Sequence, residues 1–134
     1  SKKEFIINFD QNLNSFNITK SIEVVYGLRN FIGNANKFSK SKIFINIKSD
    51  NNFTEIIIED DGGGYPKDVL RKIGEPYIKS YKSSIKSKSG LGLGIFIGKT
   101  LLEKNYASIL CRNSETRSGA EVSIKWKNRD LLNL

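Results

Sequence analysis

Two stretches of the chain repeat apolar residues at helical spacing. In the first, they lie three or four positions apart behind a candidate cap at Ser21 or Thr19, with Glu23 in the first turn, which predicts a helix over about 21–38. The second stretch predicts another long helix over about 92–104. The positions concerned are Ile22, Val25, Leu28, Ile32 and Ala35, then Leu93, Phe96, Ile97, Thr100 and Leu101. We therefore expect two long helices with one buried face each.

Alternating or continuous β-rich runs predict strands in the remaining sequence. A polar turn at 50–52 separates the second and third runs and predicts a hairpin, and a second polar turn separates the last two. The first run is short and suits an edge strand. Pro66 suits the first turn of a short helix that ends near Ile73. The predicted strands span 5–9, 43–48, 53–59, 107–112 and 120–126.

Residues 74–90 are mostly Lys, Ser and Tyr and have no apolar period. A long connection of this kind is usually functional or mobile, so we predict a lid. Together the elements predict one domain over 1–134 with an α/β fold, a two-layer α/β sandwich with antiparallel strand pairs at both ends.

The composition fits this picture and excludes several functions. The chain has 134 residues, of which 38% are hydrophobic, enough for a single core. It has no signal-peptide pattern and no long apolar run, so we expect a soluble, cytoplasmic fragment with no part in the membrane. Its one cysteine, Cys111, has apolar neighbours, which favours a buried, inert thiol over a reactive one.

The net charge of +8 would suit a polyanion, but an AT-rich coding sequence would also supply abundant Lys, Asn and Ile. The aromatic residues are not interleaved with basic ones as a stacking platform requires, so we predict no nucleic-acid partner. The chain contains no histidine. Ser-His-Asp catalysis, His-ligated zinc and phosphohistidine formation within this chain are therefore excluded.

The end of the first predicted helix carries candidate ligands. Asn30, Asn34 and Lys37 are three or four residues apart and share one side of the helix. A carboxamide oxygen is a hard ligand suited to Mg²⁺, and a nearby lysine can meet phosphate oxygens that the metal leaves unneutralised. A solvated helix face without a ligand remains an equal alternative for this helix alone.

Residues 60–64, Asp-Asp-Gly-Gly-Gly, follow a strongly apolar strand. One carboxylate can be held at the strand end while the glycines let a ligand approach the backbone. A carboxylate accepts the exocyclic amine of adenine but would face the carbonyl of guanine, which predicts a preference for ATP over GTP. Taken alone, the motif also fits an Asp-Gly turn without a ligand.

Residues 88–94, Lys-Ser-Gly-Leu-Gly-Leu-Gly, place alternating glycines before a helix. Such a start directs backbone N–H groups and the positive end of the helix dipole at an anion, although a flexible hinge is the alternative. Two other nucleotide motifs fail here. Gly98-Lys99-Thr100 imitates the end of a P-loop, but its upstream glycine would fall on Leu93; the dinucleotide spacing fails at Ile97.

In this order, the three blocks resemble the N, G1 and G2 boxes of the GHKL superfamily, which includes histidine kinases, DNA gyrase, MutL and the ninety-kilodalton heat-shock chaperone. The resemblance covers nearly the whole chain. Residues 74–77 and 94–103 are similar to sensor kinases of the redox-responding RegB/PrrB type, with 74–77 as the F box, and 118–120 look like the last glycine box. The resemblance implies the Bergerat fold, a mixed, mostly antiparallel sheet covered on one face by about three helices.

The resemblance implies a role for each matching position. Asn34 would bind Mg²⁺, Lys37 would contact phosphate, and Asp60 would bind the adenine amine, with Phe38 packing beside the base. The other implied ATP contacts are Asn30, Gly62, Gly64, Tyr65, Lys88, Gly90, Leu91, Gly92 and Leu93. The lid lysines, which could close over the phosphates, are Lys79, Lys82, Lys86 and Lys88.

One position separates the branches of the superfamily. Members resembling gyrase or MutL carry a glutamate as general base one helical turn before the metal-binding asparagine, where this chain has Asn30. An amide cannot accept a proton at neutral pH, so the resemblance favours the histidine-kinase branch. The expected function is therefore transfer of the γ-phosphate of Mg-ATP to a histidine on a separate dimerisation domain and on to a response regulator.

The resemblance also sets expectations for the longer protein. The dimerisation and sensor domains are not in this chain, so the fragment should be monomeric, whereas the full-length protein should be a homodimer anchored in the bacterial inner membrane. Three positions depart from the family pattern, namely Gly74, Lys88 and Ala120. They predict weak nucleotide affinity. They also leave an alternative function, a module of the same fold that senses nucleotide or docks protein without kinase activity.

Overall fold

The computed structural model describes residues 2–9, 21–73 and 91–134. The strands are β1 (Glu4–Phe9), β2 (Lys42–Ser49), β3 (Phe53–Asp60), β4 (Ser108–Asn113) and β5 (Ala120–Lys127). The helices are α1 (Ile22–Phe38), α2 (Lys67–Lys72), α3 (Leu91–Lys104) and α4 (Asn128–Leu131). Each predicted helix and strand is present, and α4 is a single additional turn that the sequence pattern did not predict. The predicted lid, 74–90, lies outside the described residues.

The five strands form one sheet in the order β1-β2-β3-β5-β4. The two predicted hairpins, β2–β3 and β4–β5, are antiparallel, and antiparallel pairing of β3 with β5 joins them. Strand β1 pairs with β2 in parallel. The expectation of a mixed, mostly antiparallel sheet is therefore confirmed.

The core lies between one face of the sheet and the helices. Its largest fully buried side chains are Trp126, Phe31, Ile43, Ile95, Leu102 and Ile124. The buried apolar residues of β2 and β5 lie two positions apart, so each of these strands presents one apolar face to this core; they are Ile43 and Ile45 in β2, and Val122, Ile124 and Trp126 in β5. Helix α1 begins at a side-chain cap, where Ser21 Oγ accepts from the Val24 N–H at 3.2 Å.

Two glycines let α1 and α3 pack closely. A Cβ added to Gly27 would lie 2.6 Å from Leu102 Cγ, and one added to Gly98 would lie 2.8 Å from Phe31 Cε2. The glycine of the false P-loop motif is therefore a helix-packing residue. These contacts fix α3 against α1 at Gly27 and Phe31, just before the candidate ligand Asn34.

Two further expectations can be compared with the described residues. Cys111 is partly buried, and burial raises the pKa of its thiol to about 12, so the thiol stays protonated at neutral pH, as expected for an inert cysteine. None of the described helices combines the length and apolar character needed to cross a bilayer.

Candidate functional site

Asp60 ends β3 with its carboxylate almost withdrawn from water. The residue is 4% exposed, and its Oδ1 accepts from the Gly62 N–H at 2.8 Å and from the Ala120 N–H at 3.4 Å. Burial raises the pKa of this carboxyl above its usual range, and the two backbone donors only partly oppose that effect. Such a carboxylate is a strong acceptor for a ligand that donates a hydrogen bond.

Two glycines enclose Asp60. A Cβ on Gly62 would lie 2.1 Å from the carbonyl oxygen of Phe38, and one on Gly119 would lie 2.2 Å from Asp60 Oδ1. Any side chain at either position would displace the backbone or the carboxylate. A Cβ on Gly63, by contrast, would meet nothing within 4 Å. Gly119 was not among the predicted contacts, although its position in the last glycine box could have indicated it.

Asn113 fixes the backbone that follows Asp60 and the glycines around it. Its Oδ1 accepts from the Tyr65 N–H at 2.6 Å, and its Nδ2 donates to the Tyr65 carbonyl at 3.2 Å. Gly64 has φ +82° and packs so closely on Asn113 that a Cβ would lie 2.7 Å from Asn113 Oδ1. Tyr65, a predicted ATP contact, is 7% exposed and belongs to the core cluster. Its role toward a nucleotide stays a prediction.

Asp61, next to Asp60, has a separate structural role. Its two oxygens accept from the backbone N–H groups of Lys40, Ser41 and Lys42 and from the Ser41 hydroxyl, at 2.8 to 3.1 Å. Desolvation alone would raise the pKa of Asp61, but these hydrogen bonds outweigh it and lower the pKa to about 2. Asp61 thus holds the loop after α1 against the end of β3. The sequence pattern did not distinguish the two aspartates.

Asn34 lies where α1 meets α3. Its amide contacts Gly94, where an added Cβ would lie 3.1 Å from Asn34 Oδ1 and 3.2 Å from Nδ2. The Nδ2 atom is buried and has no hydrogen-bond partner among the described residues. A buried amide donor without a partner is costly to the fold, so Nδ2 has capacity for an acceptor supplied by a ligand or by a part of the chain outside the described residues.

Of the other predicted residues of α1, Asn30 lies in the middle of the helix, and Lys37 and Phe38 lie exposed in its last turn. Asn30 Nδ2 donates to the Tyr26 carbonyl of the same helix at 2.9 Å. Lys37 Nζ lies 5.4 Å from the ring centroid of Phe38, whose side chain is 38% exposed. An aromatic face and an ammonium group are therefore both accessible beside Gly62.

The start of α3 supplies the described part of the predicted phosphate loop. Leu91 begins the helix, Gly92 is buried and Leu93 is 38% exposed. The first turn contains no acidic residue, which leaves the positive end of the helix dipole uncompensated. Lys88 and Gly90 lie outside the described residues, as do the F box 74–77 and the lid lysines Lys79, Lys82 and Lys86.

The three sequence blocks meet at the C-terminal turn of α1. Asn34 contacts Gly94 of α3, and one turn later the Phe38 carbonyl contacts Gly62 beyond β3. A buried hydrogen-bond acceptor, an incomplete amide and a helix N-terminus thus lie around one helix end. The described residues hold no group of three or more His, Cys, Asp or Glu side chains that could bind a metal unaided.

Residues 19–130 match the family of histidine kinase-, DNA gyrase B- and HSP90-like ATPases. The chain belongs to this family. Membership confirms the resemblance stated from the boxes and supports ATP as the nucleotide.

Similar proteins of this ATPase family include the sensor histidine kinase RegB of Cereibacter sphaeroides, 35% identical over 125 residues that cover 81% of this chain and 27% of RegB. The sensor protein RstB of Escherichia coli is 29% identical over 99 residues, 74% of this chain and 23% of RstB. The chain therefore spans about a quarter of the length of these relatives.

Solved structures agree on the fold. The catalytic domain of the histidine kinase ThkA superposes with a TM-score of 0.68 at 19% identity, covering 92% of this chain and 79% of that one. Full-length ShkA in complex with AMPPNP gives a TM-score of 0.67 at 21% identity, covering 92% of this chain and 25% of ShkA. The α/β sandwich expected from the sequence is thus the fold of histidine-kinase catalytic domains.

Proposed function

We propose that this chain is the ATP-binding catalytic domain of a sensor histidine kinase in a two-component system. It binds Mg-ATP, and the γ-phosphate passes to a histidine on a separate dimerisation domain and from there to a response regulator. The observation that carries the proposal is the buried carboxylate of Asp60 between Gly62 and Gly119, where Gly62 also contacts the carbonyl of Phe38, one helical turn after Asn34.

Asp60 would select the base. Its carboxylate is held by backbone donors at Oδ1, which leaves it acceptor capacity for the exocyclic amine of adenine. Guanine would present a carbonyl oxygen to the same carboxylate, so two acceptors would face each other without a proton between them. Gly62 and Gly64 would let the chain pack closely around the adenine end of the site, and the exposed ring of Phe38 would pack beside the base.

Asn34 and the start of α3 would hold the triphosphate end. The carboxamide oxygen of Asn34 is a hard ligand that fits Mg²⁺, and its unpartnered Nδ2 could donate to a phosphate oxygen. Bound Mg²⁺ would neutralise phosphate charge and so lower the cost of charge build-up during transfer. Lys37 and the backbone N–H groups of Leu91, Gly92 and Leu93 would bind phosphate oxygens, with Lys88 and Gly90 as further predicted contacts.

Phosphoryl transfer would need a second domain. The chain has no histidine, and Asn30 occupies the position from which a glutamate would activate water. The site would therefore position ATP for an external nucleophile rather than hydrolyse it. We propose a monomeric fragment that lies on the cytoplasmic side of a dimeric kinase anchored in the inner membrane.

Calorimetric titration with ADP and a non-hydrolysable ATP analogue, with and without Mg²⁺, tests the proposal. Asp60→Asn should weaken the binding of both ligands, and Asn34→Ala should remove the Mg²⁺-dependent part of binding. Gly63→Ala is the matched control, because a Cβ there meets nothing within 4 Å. No binding by the unsubstituted chain would overturn the nucleotide site.

Transfer to an added histidine-bearing dimerisation domain tests the kinase activity itself. Phosphorylation of that domain, lost in Asn34→Ala, is the expected result. Mg-ATP binding without any transfer would instead favour the non-catalytic module that senses nucleotide or docks protein.

A further inference from the structure

A row of charged residues crosses the face of the sheet opposite the helices, called here the open face. Glu59 of β3 lies directly opposite Phe44 of β2 on one side and Glu121 of β5 on the other. Because side chains alternate along a strand, Glu59 points to the open face while its neighbour Asp60 points to the helix side. Both glutamates are only 9% exposed, so each needs a partner.

Each glutamate has its own partner on the β4–β5 hairpin. Ser114 Oγ donates to Glu59 Oε2 at 2.7 Å, and Arg117 Nε lies 3.8 Å from Glu59 Oε1. Arg112 pairs with Glu121 at 2.7 Å. The Arg117 guanidinium also stacks on the ring of Phe44, 3.6 Å from its centroid. Glu59 and Phe44 thus tie down the turn between β4 and β5, whereas Glu121 pairs only with the strand before it.

The same turn reaches Asp60 at its other end. Ser114 Oγ accepts from the Arg117 N–H at 3.1 Å, and the Ser114 N–H donates to the Gly119 carbonyl at 2.7 Å, which closes the turn. Gly119 packs on Asp60, and the next residue, Ala120, donates its N–H to Asp60 Oδ1 at 3.4 Å. A rigid turn therefore links Glu59 on one face of the sheet with the Asp60 carboxylate on the other.

We infer that Glu59, Ser114 and Arg117 are positioning residues for base selection, and that they act through this turn on the Asp60 carboxylate. The inference rests on the proposed role of Asp60 in binding adenine. If the turn shifts, Gly119 and the Ala120 N–H move with it, so the acceptor atoms of Asp60 move relative to the 6-position of a bound purine. The phosphate end of the site, on α1 and α3, has no contact with this turn among those described.

The experiment compares ADP with inosine diphosphate, which carries a carbonyl oxygen in place of the 6-amine. The ratio of the two dissociation constants reports the position of Asp60, since both ligands share the sugar and phosphates. Ser114→Ala and Arg117→Lys should lower the ADP preference by about tenfold, the factor expected when a charged hydrogen bond loses its alignment. Affinity for inosine diphosphate should change little.

Ser123→Ala is the matched control, because it removes a serine–glutamate contact, to Glu55, from the same face of the sheet but outside the turn. It should leave the ratio unchanged. Arg117 has a partly exposed side chain, so its variant keeps the test valid if Ser114→Ala does not fold. Equal losses for both diphosphates, or an unchanged ratio, would overturn the inference alone. Absence of ADP binding by the unsubstituted chain would overturn the proposed function first.

Discussion

Asp60 combines a cost in stability with a proposed role in binding. Burial raises the pKa of its carboxyl, so the folded state binds this proton more tightly than the unfolded state does. Stability is therefore lost as the pH rises from the unfolded pKa through the folded one. A hydrogen bond donated by the proposed ligand would offset part of the cost of burying the carboxylate.

Asp60→Asn should separate the two effects. The neutral amide removes the cost of burying a charge, so the melting temperature of the nucleotide-free chain should rise at pH 7 but change less at pH 3. ADP affinity should fall about tenfold, because a charged hydrogen bond is replaced by a weaker one. Thermal unfolding and calorimetry check the pair. A variant that is both less stable and fully able to bind would contradict this account of Asp60.

Gly94 should be as important as the asparagine that it faces. Gly94→Ala would place a Cβ 3.1 Å from Asn34 Oδ1 and push the amide out of position. The Mg²⁺-dependent affinity for an ATP analogue should fall by about tenfold, a loss typical of disturbed support around a metal ligand.

Gly33→Ala is the control for Gly94, because it lies in the same helix as Asn34 and its Cβ would meet nothing within 4 Å. It should leave nucleotide binding unchanged and stabilise α1 by roughly 0.5–1 kcal/mol, the usual gain for alanine over glycine within a helix. Titration and urea unfolding of the two variants check the contrast, and equal binding by both would remove Gly94 from the site.

At the scale of secondary-structure elements, the Asp61 carboxylate holds the loop between α1 and β2 in place. Asp61 has a pKa of about 2, below the ordinary value of 3.8, so its contribution to stability is present above pH 4 and is lost as the pH falls toward 2. Asp61→Asn should lower the free energy of unfolding by about 1 kcal/mol at neutral pH. The effect is modest because solvent screens part of the interaction of a partly exposed group.

Asp50→Asn is the matched control for Asp61. Asp50 also accepts two backbone N–H bonds, from Asn52 and Phe53, which lower its pKa, but it lies in the β2–β3 turn away from Phe38. In pH-dependent urea unfolding, both variants should be less stable than the unsubstituted chain at neutral pH and should lose less stability on acidification. Only Asp61→Asn should also weaken ADP binding, since the loop that Asp61 holds follows Phe38. An identical effect of both on ADP would count against a role for this loop.

Local periodicity was sufficient to predict the helices and the hairpins. The parallel pairing of β1 with β2 could not be derived that way, because it joins segments more than thirty residues apart and depends on packing that no local window contains. The two aspartates of 60–61 show the same limit. Both are visible in the sequence, but their different roles depend on where β3 ends. Asp60 is its last residue and is buried, whereas Asp61 follows it and binds the loop after α1.

At the scale of the whole chain, the proposed site would present a nucleotide rather than hydrolyse it. The candidate site lies around the end of α1, and the family's acid for activating water is replaced by Asn30, whose amide donates to the Tyr26 carbonyl. The chain also lacks any histidine that could accept phosphate. Under the proposed function, the acceptor histidine is therefore supplied by another domain.

Incubation of the chain with Mg-ATP alone should therefore give neither phosphorylated protein nor sustained phosphate release. Addition of a dimerisation domain that carries the acceptor histidine should yield acid-labile phosphate on that domain, because the imidazole supplies the nucleophile that this chain lacks. Phosphoprotein gels and a phosphate-release assay measure both outcomes, with Asn34→Ala as the inactive control. Sustained hydrolysis by the isolated chain would instead show that the site activates water without an acid at Asn30, which would place it with the ATP-hydrolysing branch of the family.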